Sequence, residues 1–159
     1  MKRYLFAGFL LLAGAGAAGW FLYRTEAPPT QSAAPAPAVS LGGVSLRIEL
    51  ATTTAVQERG LGGRSVIPDD YGMLFVFPRD DRYGFWMKDM LAPIDIFWLD
   101  DKGQVVSVVR DAEPASYPGV FYPAAPARFV LETAAGFAQA HAVATGTRAS
   151  LKNIPVVSQ

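Results

Sequence analysis

The sequence has 159 residues, no cysteine, and 14 basic against 14 acidic residues. Without cysteine the chain has no thiol nucleophile, no cysteine-ligated metal centre and no cysteine-linked lipid anchor. From residue 44 onward, 11 Lys and Arg stand against 13 Asp and Glu, so a basic stripe is missing and nucleic acid is excluded as a partner.

The first 24 residues predict a membrane segment. Lys2 and Arg3 precede an uncharged run from Tyr4 to Tyr23, which as a helix would span about 30 Å, one bilayer core. The run ends in Trp-Phe-Leu-Tyr rather than in small cleavage-site residues, which favours an uncleaved anchor over a cleaved signal peptide. The leading positive charges place the rest of the chain outside the cytoplasm. We therefore expect a cell-envelope protein on the periplasmic or extracellular face, tethered to the inner membrane.

Residues 25–43 predict a linker, because their Pro- and Ala-rich composition cannot build a core. Residues 44–159 predict a single globular domain, which is long enough for one core without disulfides.

Short strands dominate the pattern from residue 44. Alternation predicts a strand over 44–50, and Thr52–Thr54 predicts the cap of a short helix that ends near Leu61. Further predicted strands cover 73–77 (stopped by Pro78), 85–89, 94–99, 104–109, 128–131 and 148–151, with a long loop over 111–127 and a second helix over 133–141. About seven short strands and two small helices predict a mostly β domain, a small β-sandwich or distorted barrel.

Several blocks carry a family resemblance. They are Glu58–Leu61, Gly72–Phe77, Phe85–Lys88, Pro93–Asp95 and Val130–Glu132. In this order the chain resembles the domain of unknown function 192 family, which implies an exported β-sandwich-like domain and no catalytic assignment. Gly62 stands where the family commonly has Met, and Asp89-Met90 stands where it commonly has Asn-Thr.

The aromatic run around Trp86 and Lys88 is the first candidate site. On a strand, Phe85, Met87 and Asp89 would share one face, and Trp86 and Lys88 the other. The Lys88 stem can then lie along the Trp86 ring, which would suit an anionic or sugar-like ligand. The alternative is a core Trp with a Lys reaching solvent at its edge.

Asp95 lies between two isoleucines and therefore needs a partner if it is buried. The candidate partners are Lys88, Arg59 and Arg64. Asp95 is interpreted as an ion pair or a backbone clamp, or else as half of an acid–base pair with Asp89 or Glu132.

The remaining candidates carry weaker signals. Arg59 and Arg64 flank a Gly-rich helix end and either grip a carboxylate or phosphate or lie solvated in salt bridges. The single His141 is interpreted as a residue at a helix C-terminus. The 111–127 loop is a candidate lid or partner surface. No cofactor and no metal site is predicted.

Three functions follow from these residues. The leading one is a non-enzymatic envelope module that binds a small polar or anionic ligand, or a protein partner, through Trp86, Lys88, Asp95, Arg59 and Arg64. The second is a carboxylate-based, glycan-directed envelope hydrolase. The third is a structural accessory of an envelope complex.

Overall fold

The computed structural model describes residues 35–157. The predicted anchor and most of the predicted linker lie outside the described residues. Within 35–157, no helix combines the length and the apolar character needed to cross a membrane.

Nine strands and two short helices form the described part of the chain. The strands are β1 (Ala38–Leu41), β2 (Val44–Ala51), β3 (Tyr71–Asp81), β4 (Phe85–Trp86), β5 (Ile94–Leu99), β6 (Val105–Ala112), β7 (Val120–Phe121), β8 (Ala127–Ala134) and β9 (Ser150–Lys152). The helices are α1 (Thr54–Arg59) and α2 (Phe137–Ala140), with a 3-10 turn at Pro114–Ser116. The prediction of a mostly β domain is confirmed.

Seven strands form one curled sheet in the order β6-β5-β8-β3-β2-β1-β9, and β4 and β7 form a separate pair. Only β2 and β3 are parallel, with α1 as their connection. Backbone hydrogen bonds from Val105 to Thr147 and from Ala149 to Gly103, each 2.8 Å, join the start of β6 to the segment that precedes β9. The sheet therefore curls into a half-barrel, which is the distorted-barrel form of the predicted class.

Each face of the sheet buries its own hydrophobic cluster. One cluster contains Met73, Phe75, Ile96 and Trp98 among its fully buried members. The other is built from the alternate residues of the same strands, such as Leu74, Phe97 and Leu131, together with residues of β1 and α2. Because successive side chains of a strand point to opposite faces, strands buried on both sides read as continuous apolar runs.

Several boundaries differ from the sequence prediction. β1 lies inside the predicted linker, and its Val39 and Leu41 are buried in the core. β3 does not stop at Pro78 but runs to Asp81, because its pairing with β8 shifts register between Val76 and Asp81, where a missing N–H is tolerated. Residues 133–134 belong to β8 rather than to the second helix.

Candidate functional site

A cleft of about 230 Å³ opens beside α1 on the Met73 face of the sheet. Its walls include the aromatic residues Phe75, Phe77, Tyr83, Phe85 and Trp86. Its charged lining residues are Glu58, Arg59, Lys88 and Glu132. The cleft therefore combines an apolar interior with a few charged groups, which is the usual composition of a small-molecule site.

Trp86 and Lys88 lie together at this cleft, as the alternation of the sequence predicts. Trp86 remains 47% exposed, whereas its neighbours Phe85 and Met87 are buried. The Lys88 Nζ lies 6.0 Å from the centroid of the Trp86 ring, within cation–π range. The interpretation of Trp86 as a core residue is wrong, and the exposed aromatic–cation pair is what the structure contains.

The strand itself is shorter than predicted. β4 ends at Trp86, and Asp89 adopts a positive φ of 58° in the turn that follows. This left-handed conformation favours Asn and Asp among the non-Gly residues. Asp89 does not line the cleft.

Arg59 and Arg64 do not lie in the same site. Arg59, the last residue of α1, lines the cleft. Arg64 instead pairs with Glu49 at 2.7 Å and donates to the Tyr71 hydroxyl at 2.7 Å. The hydrogen bond from Tyr71, and then that from Arg64, lower the pKa of Glu49. The alternative of a salt bridge is thus confirmed for Arg64, which does not line the cleft.

Among residues 35–157, no carboxylate lies within 4.0 Å of the charged groups of Arg59 or Lys88. Burial raises the pKa of Glu132 to about 8, so this side chain is mostly protonated at pH 7. With Glu132 neutral, the two cations exceed the single charge of Glu58, and the lining carries a net charge of +1.

Asp95 is fully buried, and its partners differ from the candidates named by sequence. Its Oδ1 accepts from the Asp111 backbone N–H at 2.8 Å, and its Oδ2 accepts from the Ala138 N–H at 2.7 Å. Neither Lys88, Arg59 nor Arg64 contacts it. Asp95 is a backbone clamp that ties β5 to β6 and α2, so its proposed place in the ligand site is not supported by its position.

Glu132 lies on the opposite face from Asp95. It pairs in register with Met73 and Ile96, whereas Asp95 pairs with Thr133. Asp95 and Glu132 therefore do not face one cleft, and Asp89 lies outside it. This placement gives the predicted acid–base pairs no support, and nothing here favours the hydrolase.

Glu132 is the main residue of the site that is missing from the predicted binding residues; the sequence suggested it only as half of a possible acid–base pair with Asp95. It is 4% exposed, its Oε2 has no hydrogen-bond partner among the described residues, and it lines the cleft. Desolvation is the main cause of its raised pKa, and a hydrogen bond from the Leu61 backbone only partly opposes it. The aromatic walls from β3 and from Tyr83 were also missed, because their convergence depends on the curl of the sheet.

The 111–127 loop reaches the same region. Its β7 strand pairs with β4, so that Trp86 lies opposite Val120. Tyr117 meets the Trp86 ring edge-on, with centroids 6.5 Å apart. Tyr117, Val120 and Tyr122 are 47%, 41% and 64% exposed and extend the apolar surface beyond the cleft.

His141 caps the end of α2, as predicted. No cluster of metal-ligating side chains occurs within residues 35–157.

The curled mixed sheet with an aromatic cleft beside its single parallel crossover defines a class of small β domain. The chain belongs to the DUF192 family, described as "Uncharacterized ACR", which it matches over residues 38–151. The family resemblance seen in the sequence is thereby confirmed.

Two solved structures share the fold. A putative transcription regulator from Sinorhizobium meliloti is 28% identical with a TM-score of 0.69, covering 75% of this chain and 96% of that protein. A protein of unknown function from Novosphingobium aromaticivorans is 29% identical with a TM-score of 0.66, covering 72% of this chain and 82% of that one. No curated protein matches the chain.

Proposed function

We propose that this protein is a non-enzymatic envelope module that binds a small anionic molecule in the cleft. The observation that carries the proposal is the half-exposed Trp86 with the Lys88 ammonium beside its ring at the cleft. Arg59 adds a second cation to the same lining. An aromatic ring and two cations offer a flat apolar surface and charge complementarity to one anion.

The cellular part of the proposal depends on the sequence of residues 1–24. Their uncharged run and basic flank support an exported domain held at the inner membrane. The Sinorhizobium protein is described as a putative transcription regulator. Nucleic acid is not proposed as a partner here, because residues 44–159 hold 11 basic against 13 acidic residues.

The ligand test compares small aromatic carboxylates, aromatic phosphates and uncharged sugars by thermal shift and calorimetry on the full chain. We expect the anions to raise the melting temperature and the sugars to leave it unchanged. Trp86→Ala and Lys88→Ala should each weaken binding of the best anion by about tenfold, the equivalent of one cation–π or charge-assisted contact. Lys102→Ala, which removes an exposed cation from the β5–β6 turn, should leave the affinity unchanged.

A protein partner is the second candidate, because Tyr117, Val120 and Tyr122 expose apolar surface next to Trp86. Tyr122→Ala separates the two candidates, since Tyr122 does not line the cleft. It would weaken a protein complex and spare small-molecule binding. If no anion binds, or if Lys102→Ala weakens binding as much as Lys88→Ala does, the small-ligand proposal fails.

A further inference from the structure

The free oxygen of Glu132 is the one buried polar group of the cleft without a protein partner among the described residues. Gly60, the residue after α1, leaves room beside it. A Cβ built on Gly60 would lie 3.4 Å from Oε2 and 3.5 Å from Phe75 Cζ. Both Gly60 and Glu132 line the cleft. The carboxyl group of Glu132 therefore forms part of the cleft wall next to the backbone of Gly60.

The surroundings of Glu132 determine whether its carboxyl group is protonated or ionised in the cleft. The Leu61 N–H and the charge of Arg64 favour the ionised form, but desolvation outweighs both, so the pKa of Glu132 rises to about 8. The other charged groups of the lining, Glu58, Arg59 and Lys88, are exposed. With a pKa of about 8 the group is mostly protonated at neutral pH, and Oε2, which has no partner among the described residues, is available as the donor. A buried O–H donor without an acceptor is unfavourable, so an acceptor supplied by a ligand is favoured.

We infer that the ligand carries a carbonyl-type oxygen at its buried end, which accepts a hydrogen bond from the Glu132 O–H, and its anionic group at the exposed end beside Lys88 and Arg59. This inference rests on the proposed function and assigns a ligand class to the same cleft. The class is a small oxo acid with a flat or apolar middle, because the aromatic side chains of Phe75, Phe85 and Trp86 line the same cleft.

The reverse orientation is disfavoured by the same charges. An anion pushed to the Glu132 end would lose its hydration in a buried, largely apolar site. An ammonium ligand would have to pass Lys88 and Arg59, which repel it. An uncharged acceptor at the buried end avoids both costs.

The test uses two probes of closely similar shape, 4-acetylbenzoate and 4-isopropylbenzoate, which differ in the carbonyl oxygen. Dissociation constants are measured with the full chain at pH 6.5 and pH 9, for wild type and for Glu132→Gln. At pH 6.5 we expect 4-acetylbenzoate to bind about tenfold more tightly, the worth of one buried hydrogen bond. At pH 9 the wild type should lose that preference, because ionised Glu132 has no proton to donate.

Glu132→Gln is the matched variant, since its amide N–H still donates but does not titrate. It should keep the preference for 4-acetylbenzoate at both pH values. Infrared difference spectra of wild type give a readout without mutation. The carboxylic acid C=O band of Glu132 should shift when 4-acetylbenzoate binds and stay in place with 4-isopropylbenzoate.

The outcomes separate the inference from the proposed function. If both probes bind equally at both pH values, with dependence on Trp86 and Lys88, the cleft is a ligand site and the inference about Glu132 is wrong. Tighter binding of 4-isopropylbenzoate also overturns the inference. If neither these probes nor any other small anion binds, the proposed function fails and takes the inference with it.

Discussion

Asp95 and Glu132 are two buried carboxyl groups on neighbouring strands with very different surroundings. Asp95 receives one backbone N–H on each oxygen, and these bonds replace its lost hydration. The ionised form of Glu132 is stabilised only by the Leu61 backbone and by the charge of Arg64, and one oxygen has no partner among the described residues. The first arrangement holds the fold together, and the second leaves hydrogen-bonding capacity in the cleft.

The raised pKa of Glu132 makes stability depend on pH. The pKa lies near 8 in the folded state and near 4.5 in the unfolded state, so between these values the folded state binds more protons. The free energy of unfolding therefore falls as pH rises through this window, by up to about 1.4 kcal/mol per pH unit from this group. We expect Glu132→Gln to remove that slope, so that its advantage in urea unfolding experiments grows from pH 5 to pH 8.

The control for other titrating groups is Glu58→Gln, at an exposed position of the same cleft. It should follow the wild-type pH dependence. A wild type and a Glu132→Gln variant that stay parallel from pH 5 to pH 8 would contradict a neutral Glu132.

For individual residues, the sequence predicts the exposed Trp86–Lys88 pair better than the surroundings of the buried carboxyl groups. The alternation from Phe85 to Lys88 was enough to place Lys88 beside Trp86. It could not find the partners of Asp95, because both are backbone N–H groups from distant positions, 111 and 138. It could not distinguish Glu132 from Thr133 either, because β8 is buried on both faces and alternation leaves no polar side to read.

Among the elements, the β1–β2 hairpin shows how a turn is fixed by what lies against it. Gly42 and Gly43 both have positive φ, 60° and 82°. A Cβ on Gly42 would lie 2.7 Å from His141 Cβ and 2.8 Å from its backbone oxygen, whereas Gly43 has nothing within 4 Å. The turn thus packs β1 against the residues that follow α2.

These two glycines make a matched pair of variants. Gly43→Ala should cost about 1 kcal/mol, the strain of an L-residue in the left-handed region. Gly42→Ala adds a steric clash with backbone atoms and should cost roughly 3 kcal/mol or more, since such a clash forces the backbone to shift. Chemical denaturation of both variants checks the difference. Equal losses would mean that β1 is not held against His141.

Elements with a local cause were predicted well, and those with a distant cause were not. Ile94–Leu99 matches β5 residue for residue, and Thr53 caps α1 through the Val56 N–H. The sequence alone places β1 in the linker, because its four residues are ordered only by pairing with β2 and β9. The sequence also predicts that β3 stops at Pro78, because a register shift between two strands cannot be read from one strand alone.

For the molecule as a whole, the sequence of residues 1–24 predicts a domain held at the inner membrane. If residues 4–23 are an uncleaved anchor, the full chain should sediment with membranes after high-salt and alkaline washes. A variant lacking residues 4–23 should remain in the cytoplasmic fraction. Release of the full-length chain by salt alone, or a mature protein that begins after residue 24, would contradict the anchor.

The alternation of side chains along β8 links the register of this strand to the fraction of correctly folded protein in a preparation. Leu131 and Glu132 point to opposite faces, and Leu131 belongs to the cluster that Glu132 does not enter. A slip of one residue in this strand would exchange them, burying the acid in the wrong cluster and lining the cleft with leucine. If the cleft binds a ligand as proposed, the fraction of molecules that bind it equals the fraction in which β8 is correctly aligned, so binding stoichiometry also measures correct folding.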